Sequence, residues 1–201
     1  MKSGILLMLV SLSNLAQAAQ EDVFANKAIG LEITKPATWY YVSAPQYLDN
    51  IASTKFDDHD VQAWVAKYIT SPLVAMATST DPSRGFNANF KVQVKPSGSL
   101  KGQPATAIVA AVLPLAQKAF KDYQVDQPPI EVEISGIKSA YARINFTAQM
   151  SDGRSDPATS EVWVIPRGDY FFILGAVSAR NADASTREEV AAIVRSVKIR
   201  H

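Results

Sequence analysis

The stretch from Glu161 to Ile199 constrains the fold of this chain most, because a strand, a turn, a second strand, an amphipathic helix and a short closing strand are predicted there in succession. Tyr170 to Val177 is a continuous apolar run flanked by turn residues, which favours a strand covered on both faces. Its aromatic and β-branched residues favour a strand over a short helix. Glu161 to Ile165 predicts the partner strand, and Pro166 to Asp169 predicts the turn between them.

An amphipathic helix is predicted after this pair of strands. Ser185 and Glu188 match a capping box, so we expect the helix to begin at Ser185. One apolar stripe at helical spacing follows, made by Val190, Ile193, Val194 and Val197. The stripe requires an apolar surface, and the preceding strand is the nearest candidate.

The first 19 residues have the pattern of a secretory signal peptide. Lys2 precedes the short apolar run from Gly4 to Leu15, and Ala16–Ala18 has the small-residue pattern of a cleavage site. We therefore predict export to the periplasm or beyond, with cleavage near Ala18 or Ala19. An uncleaved anchor is the alternative, although the run is shorter than a membrane span. Residues 20–28 are expected to be a flexible leader, and residues 29–201 a single domain.

Composition narrows the classes of function. The chain has no cysteine, which excludes a disulfide framework, a thiolate nucleophile and a lipid-modified cysteine anchor. The chain has 20 basic and 19 acidic residues, and loss of residues 1–19 removes only Lys2, which leaves 19 of each. This balance does not favour nucleic-acid binding, which requires a basic excess. No transmembrane segment is expected in the mature chain.

The rest of the chain predicts a mixed fold. Helices are expected at Phe56–Ile69, with Asp57 as the N-cap, and at Thr106–Tyr123, with a kink or break at Pro114. The expected buried face of the second helix includes Ile108, Val112 and Ala116. Asp81–Gly85 is expected to be a turn, and the pair Pro128–Pro129 is expected to close the connection after the second helix. The other predicted strands are Ile29–Thr34, Trp39–Val42, Leu73–Thr78, Phe90–Val94, Ile130–Ile134 and Ala140–Ala148. Because the strands of the second half are mostly consecutive, we expect an α+β fold, with helices on both faces of a mostly antiparallel sheet.

Three segments resemble the PsbP-like, or Mog-type, family. The opening, Gly30 to Trp39 (GLEITKPATW), is similar to the family's first strand and turn. Ile134 to Ala140 (ISGIKSA) resembles its central hairpin, and Ile193 to Ile199 (IVRSVKI) resembles its end. The resemblance extends over nearly all of the chain after residue 28. It implies an α/β/α sandwich, as in PsbP and bacterial DcrB-like envelope proteins, and it transfers no site residue.

Catalytic and metal-binding patterns are weak. Asp57–Asp58–His59–Asp60 could supply ligands to a divalent metal, but consecutive helical residues point in different directions, so a helix start is the favoured interpretation. Ser135 and Lys138 match S-x-x-K, although the companion motifs of that enzyme class are absent. We therefore predict no catalytic residue, no metal site and no cofactor. Trp39, Trp64 and Trp163 are expected in the core.

Together these patterns predict a non-enzymatic binding or accessory protein of the bacterial envelope that acts on another envelope protein. Two alternatives stay open. One is an envelope hydrolase that uses carboxylates, and the other is a carrier of a small hydrophobic ligand with a deep apolar pocket.

Overall fold

A computed structural model describes residues 22–52, 54–56, 71–79, 87–150 and 153–200. The described residues form two sheets, whose strands are β1 (Val23–Asn26), β2 (Leu31–Thr34), β3 (Tyr40–Tyr41), β4 (Thr54–Lys55), β5 (Val74–Ala77), β6 (Asn89–Pro96), β7 (Lys121–Ile134), β8 (Ile137–Met150), β9 (Ser155–Arg167), β10 (Tyr170–Ala179) and β11 (Lys198–Ile199). The helices are α1 (Ala44–Ala52), α2 (Ala105–Ala119) and α3 (Ala184–Arg195), and Gly98–Leu100 forms a 3₁₀ turn.

The larger sheet has eight strands within the described ranges and determines the shape of the site. Its order is β3–β5–β6–β10–β9–β8–β4, and β7 also pairs with β8. The smaller sheet has the order β1–β2–β11. Adjacent strands in both sheets pair antiparallel, which confirms the prediction of a mostly antiparallel sheet. β10 lies between β6 and β9, so its backbone is paired on both edges.

The apolar strand β10 is covered on both faces, as its sequence predicted. Phe172 and Leu174 point to one face, where they pack in a cluster with Val190 and Ile193 of α3. We call this surface the α3 face. Phe171 packs on the opposite face, in a cluster with helix α2 residues Ala105, Ile108 and Val109. We call that surface the α2 face.

The stripe of α3 is confirmed, but its predicted cap is wrong. Val190, Ile193 and Val197 are buried. The N-cap is Asp183, whose carboxylate accepts a hydrogen bond from the Thr186 N–H at 2.7 Å. The hydroxyl of Ser185 instead donates to Asp183. Asp183 lies in the sequence Asp-x-x-Thr, which competes with Ser-x-x-Glu as a helix start, and a carboxylate accepts the orphan N–H more strongly than a hydroxyl.

Helix α2 differs from its prediction at both Pro114 and its end. The helix does not break at Pro114 but continues to Ala119. Pro114 and Ala110 are both exposed, so the carbonyl oxygen that Pro114 leaves without a donor can bond to water. Phe120 is extended, and β7 begins directly after it. Val112, expected on the buried face, is 41% exposed.

Two segments expected outside regular structure form strands. Val23–Asn26, within the predicted leader, is β1 and pairs with β2. The pair Pro128 and Pro129 was expected to close a connection but lies inside β7. Among the described strands, β7 pairs with β8 alone, and its register shifts near the prolines, so an edge position tolerates the missing N–H donors.

Helix α1 was not predicted. It follows a capping box in which the Ser43 N–H donates to the Gln46 side chain at 3.1 Å. Conversely, the predicted helix residues 57–69, the turn at 81–85 and the predicted signal peptide lie outside the described residues. Within the described ranges, no helix combines the length and apolar composition that a membrane span requires.

Candidate functional site

A cleft of about 440 Å³ lies on the α3 face, between the sheet and the start of α3. Strands β8, β9 and β10 supply its floor, and α3 and the preceding loop supply its other side. Eight of its thirteen lining residues are polar or charged, namely Asp126, Arg143, Asn145, Thr159, Glu161, Ser178, Arg180 and Arg187. The apolar lining residues are Trp163, Ala179, Ala182, Val190 and Ala191.

The strand register assembles the floor in rows of directly opposed residues. Arg143 of β8 lies opposite Glu161 of β9. In the next row, Asn145 lies opposite Thr159, which in turn lies opposite Ser178 of β10. Side chains at alternate positions of a strand share a face, so all of these residues point towards α3. The polar half of the α3 face therefore follows from period-two alternation combined with pairing.

Three hydrogen bonds organise the polar floor. The Tyr141 hydroxyl donates to Glu161 at 2.5 Å, and the Thr159 hydroxyl donates to Asn145 at 2.7 Å. Arg143 Nε donates to Asp126 of β7 at 2.5 Å. A carboxylate that already accepts a hydrogen bond holds its position, so the floor is ordered before any ligand arrives.

Burial and pairing shift two acid–base equilibria beside the cleft. Burial raises the pKa of Tyr141 far above that of an ordinary phenol, and the hydrogen bond and negative charge of Glu161 raise it further. The hydrogen bond to Asp126 raises the pKa of Arg143. Tyr141 is thus a neutral hydrogen-bond donor at physiological pH, and Arg143 is a cation.

The other side of the cleft carries two further arginines. Arg180 follows β10 and donates from Nη2 to the Phe146 carbonyl oxygen at 3.2 Å. Arg187 lies in the first turn of α3 and donates to the Ala182 carbonyl oxygen. Both side chains line the cleft, and both residues are exposed. The cleft therefore joins an ordered polar floor to a cationic rim.

Two of the described residues that line the cleft carry hydroxyl groups. Thr159 and Ser178 supply hydroxyls, but nucleophilic catalysis by a hydroxyl needs an adjacent general base such as histidine. The two histidines of the sequence, His59 and His201, lie outside the described residues. In the part of the chain that the structure describes, no group of three or more potential metal ligands is found.

The residues singled out in the sequence fall mostly away from this cleft. Asp57–Asp58–His59–Asp60 and Trp64 lie outside the described residues. Ser135 is in the turn between β7 and β8, where its hydroxyl accepts a hydrogen bond from Ile199 N–H at 2.9 Å. Trp39 and Trp163 are buried at 1% and 8% exposure, which confirms the core prediction for both. Trp163 also forms part of the cleft wall.

Sequence reasoning missed the cleft residues as a group. The alternation in β8 places Tyr141, Arg143 and Asn145 on one face, and it predicts a polar face there. That pattern does not say which residues of β9 lie opposite, nor that the start of α3 approaches them. One signal was available in the sequence. β8 has a polar face, and β9 also has polar residues, Glu161 and Thr159, at alternate positions.

No family model and no curated protein matches the chain. Among solved structures, cyanobacterial PsbP (CyanoP) from Synechocystis sp. PCC 6803 has a TM-score of 0.50 and 13% identity, over 96% of this chain and 99% of that one. LpqN, involved in cell envelope biogenesis of Mycobacterium tuberculosis, has a TM-score of 0.49 and 12% identity, over 85% of this chain and 83% of that one.

A crystal structure from Bacteroides thetaiotaomicron VPI-5482 has a TM-score of 0.45 and 11% identity, over 86% of this chain. Our chain spans about half the length of that protein, 46%. At these identities a structural likeness concerns the fold alone. The likeness to CyanoP supports a PsbP-like fold, as the three sequence segments suggested.

Proposed function

We propose that this chain is an exported, non-enzymatic accessory protein of the bacterial envelope, and that it acts by binding another protein at the cleft on the α3 face. The observation that supports this proposal most is the composition of the cleft: an ordered polar floor, a cationic rim and a tryptophan wall. Arginine and tryptophan are enriched where protein interfaces bind most strongly. The finer fold assignment, an α/β/α sandwich, belongs to the same proposal.

The location rests on the sequence of residues 1–19. Mass spectrometry of the protein recovered from its host tests it. The mature chain should begin at Ala19 or Gln20. Recovery of a chain that still contains the Gly4–Leu15 run would contradict cleavage and favour the anchor.

Site-specific photo-crosslinking tests the binding role. A photoreactive amino acid replaces Thr159 on the cleft floor, and the matched control replaces Lys138, which is exposed beside the β7–β8 turn and outside the cleft. We expect irradiation of intact cells to give a discrete protein adduct from position 159 and none from position 138. Equal adducts from both positions, or none from either, would contradict a partner in the cleft.

A hydrolase that uses carboxylates is the second candidate, because Asp126 and Glu161 line the same cleft. Each carboxylate already accepts a hydrogen bond, from Arg143 and Tyr141 respectively, which favours a positioning role for both. An activity screen with ester, amide and glycoside substrates separates the two proposals. Turnover that is lost in Glu161→Gln would support the enzyme. The polar lining of the cleft does not favour the hydrophobic-ligand carrier.

A further inference from the structure

The positive and negative charges of the cleft are unequally satisfied. Arg143 pairs with Asp126, and Glu161 accepts a hydrogen bond from Tyr141. Arg180 and Arg187 differ from Arg143, because their hydrogen bonds in the described part of the chain go to main-chain carbonyl oxygens. A guanidinium has five N–H donors in a planar fork, so each of these two arginines retains donors for an anion.

Asp183, four residues before Arg187, already accepts other hydrogen bonds. Hydrogen bonds lower the pKa of Asp183, and the positive charge of Arg187 lowers it further. The Asp183 Oδ1, as the N-cap of α3, already accepts hydrogen bonds from Thr186 N–H and the Ser185 hydroxyl. The thirteen lining residues carry three arginines and two carboxylates, so the cleft has a formal charge of +1. The unmatched charge lies on the rim formed by Arg180 and Arg187.

The neutral polar residues of the floor complement a polypeptide backbone. The Ser178 hydroxyl can donate and accept. Thr159 donates its one hydroxyl hydrogen to the Asn145 carbonyl oxygen, so Thr159 retains acceptor capacity and Asn145 retains its NH₂ group as a donor. Sites for small molecules of this volume are lined predominantly by apolar and aromatic side chains. Eight of the thirteen residues here are polar or charged, which favours a peptide segment instead.

We propose that the cleft binds an acidic segment of a partner polypeptide, with Arg180 and Arg187 donating charge-assisted hydrogen bonds to its Asp or Glu carboxylates. The inference rests on the proposed function, since it names the chemistry of the partner at the same site. Bidentate pairing of guanidinium with carboxylate supplies direction as well as charge. The neutral floor residues then bond to the peptide backbone, and Trp163 and Ala191 contact its side chains.

The probe is a blocked tri-glutamate peptide, added to the ¹⁵N-labelled full exported chain at low ionic strength. We expect saturable binding with amide shift changes at residues 178–187, and weaker binding as salt is added. Blocked tri-glutamine should not bind. In R180Q/R187Q, the Kd for tri-glutamate should rise at least about tenfold, because two charge-assisted contacts are lost.

The matched control is R195Q. Arg195 lies on the same helix and is exposed, but it pairs with Glu188 outside the cleft. The Kd of R195Q for tri-glutamate should therefore stay within about twofold of the wild-type value. Equal affinity for tri-glutamate and tri-glutamine would overturn the inference. An unchanged Kd in R180Q/R187Q would also overturn it. If that double variant unfolds, each single substitution should still raise the Kd for tri-glutamate. An unchanged Kd in both single variants would overturn the inference as well.

Succinate and inorganic phosphate test the source of the anion. Tight binding of either ion, equal to that of tri-glutamate and equally sensitive to R180Q/R187Q, would overturn the peptide in favour of a small anion. Failure here is distinguishable from failure of the proposed function. If the adduct from position 159 persists while tri-glutamate does not bind, only the acidic chemistry is wrong. If tri-glutamate binds but no adduct forms, the macromolecular partner is wrong.

Discussion

Two halves of the α3 face use the same strands and the same helix for different purposes. In the apolar half, Trp163 and Leu174 lie opposite each other and pack under Val190 and Ile193. One and two rows further along, the same strands present Glu161 and Thr159. The apolar half stabilises the fold by burial. The polar half has polar residues where apolar ones would stabilise the fold by burial. Residues that reduce stability in this way are expected at functional sites, so the polar half is the best candidate for one.

The largest expected contrast is between truncations in the two halves. Phe172 is fully buried in the apolar half, so Phe172→Ala should lower the free energy of unfolding by about 3–5 kcal/mol, through lost burial and the cavity left behind. Ser178→Ala in the cleft should lower it by less than about 1 kcal/mol. Urea denaturation of both variants measures the difference. Similar losses would erase the distinction between the halves.

Tyr141 lies at the boundary and should have an intermediate effect. Its ring stacks on Trp163 at a centroid distance of 5.2 Å, while its hydroxyl donates to Glu161. Tyr141→Phe keeps the ring and leaves Glu161 without its donor, so we expect a loss of roughly 1–3 kcal/mol. Chemical denaturation of Y141F, E161Q and the double variant gives the coupling between the two side chains. Additive losses would show that the hydrogen bond does not couple the halves.

The same residue predicts a pH dependence. The pKa of Tyr141 is raised in the folded protein, so its contribution is fully present below the ordinary pKa of about 10 and is lost as pH rises above it. Above that value the unfolded chain releases the proton and the folded chain retains it. The wild type should therefore lose stability more steeply than Y141F between about pH 10 and pH 12. Parallel stability curves would contradict a raised pKa at Tyr141.

The smallest expected stability effect is in the exposed ion pair of the cleft. The side chains of Arg143 and Asp126 are 42% and 36% exposed, and such pairs contribute at most about 1 kcal/mol. Asp126→Asn should therefore leave the thermal midpoint nearly unchanged. The released Arg143 should strengthen tri-glutamate binding, measured as a lower Kd. A large loss of stability would place this pair with the apolar half instead.

The sequence predicted the apolar half well and the cleft poorly, for a physical reason. A strand such as Tyr170–Val177 and a stripe such as that of α3 are periodic, so each can be recognised within one segment. The PsbP-like segments around Gly30 and Trp39 likewise indicated the order of elements. Gly30 has a φ of +68°, and a Cβ there would lie 2.3 Å from the Arg200 carbonyl oxygen, so this glycine is a structural requirement.

The cleft depends on relations between segments that no single segment contains. Glu161 lies opposite Arg143 only because of the register between β8 and β9, and Arg187 approaches them only because α3 packs on that face. Local rules that compete within a segment also misled the prediction. Ser185 has the residue type of an N-cap, but Asp183 two residues earlier forms the cap. An edge position likewise allowed Pro128 and Pro129 to stay within a strand.

Binding and stability measured in the same protein test most directly whether the polar half of the α3 face serves binding. The photoreactive residue at position 159 is introduced into the wild type and into R180Q/R187Q, at matched expression, and the adduct yield is compared with the unfolding midpoint. We predict that the yield falls at least several-fold while the midpoint stays nearly constant, because both arginines are exposed and make no ion pair in the described ranges. An unchanged yield, or a yield that falls only together with the midpoint, would contradict a cleft whose polar half serves binding.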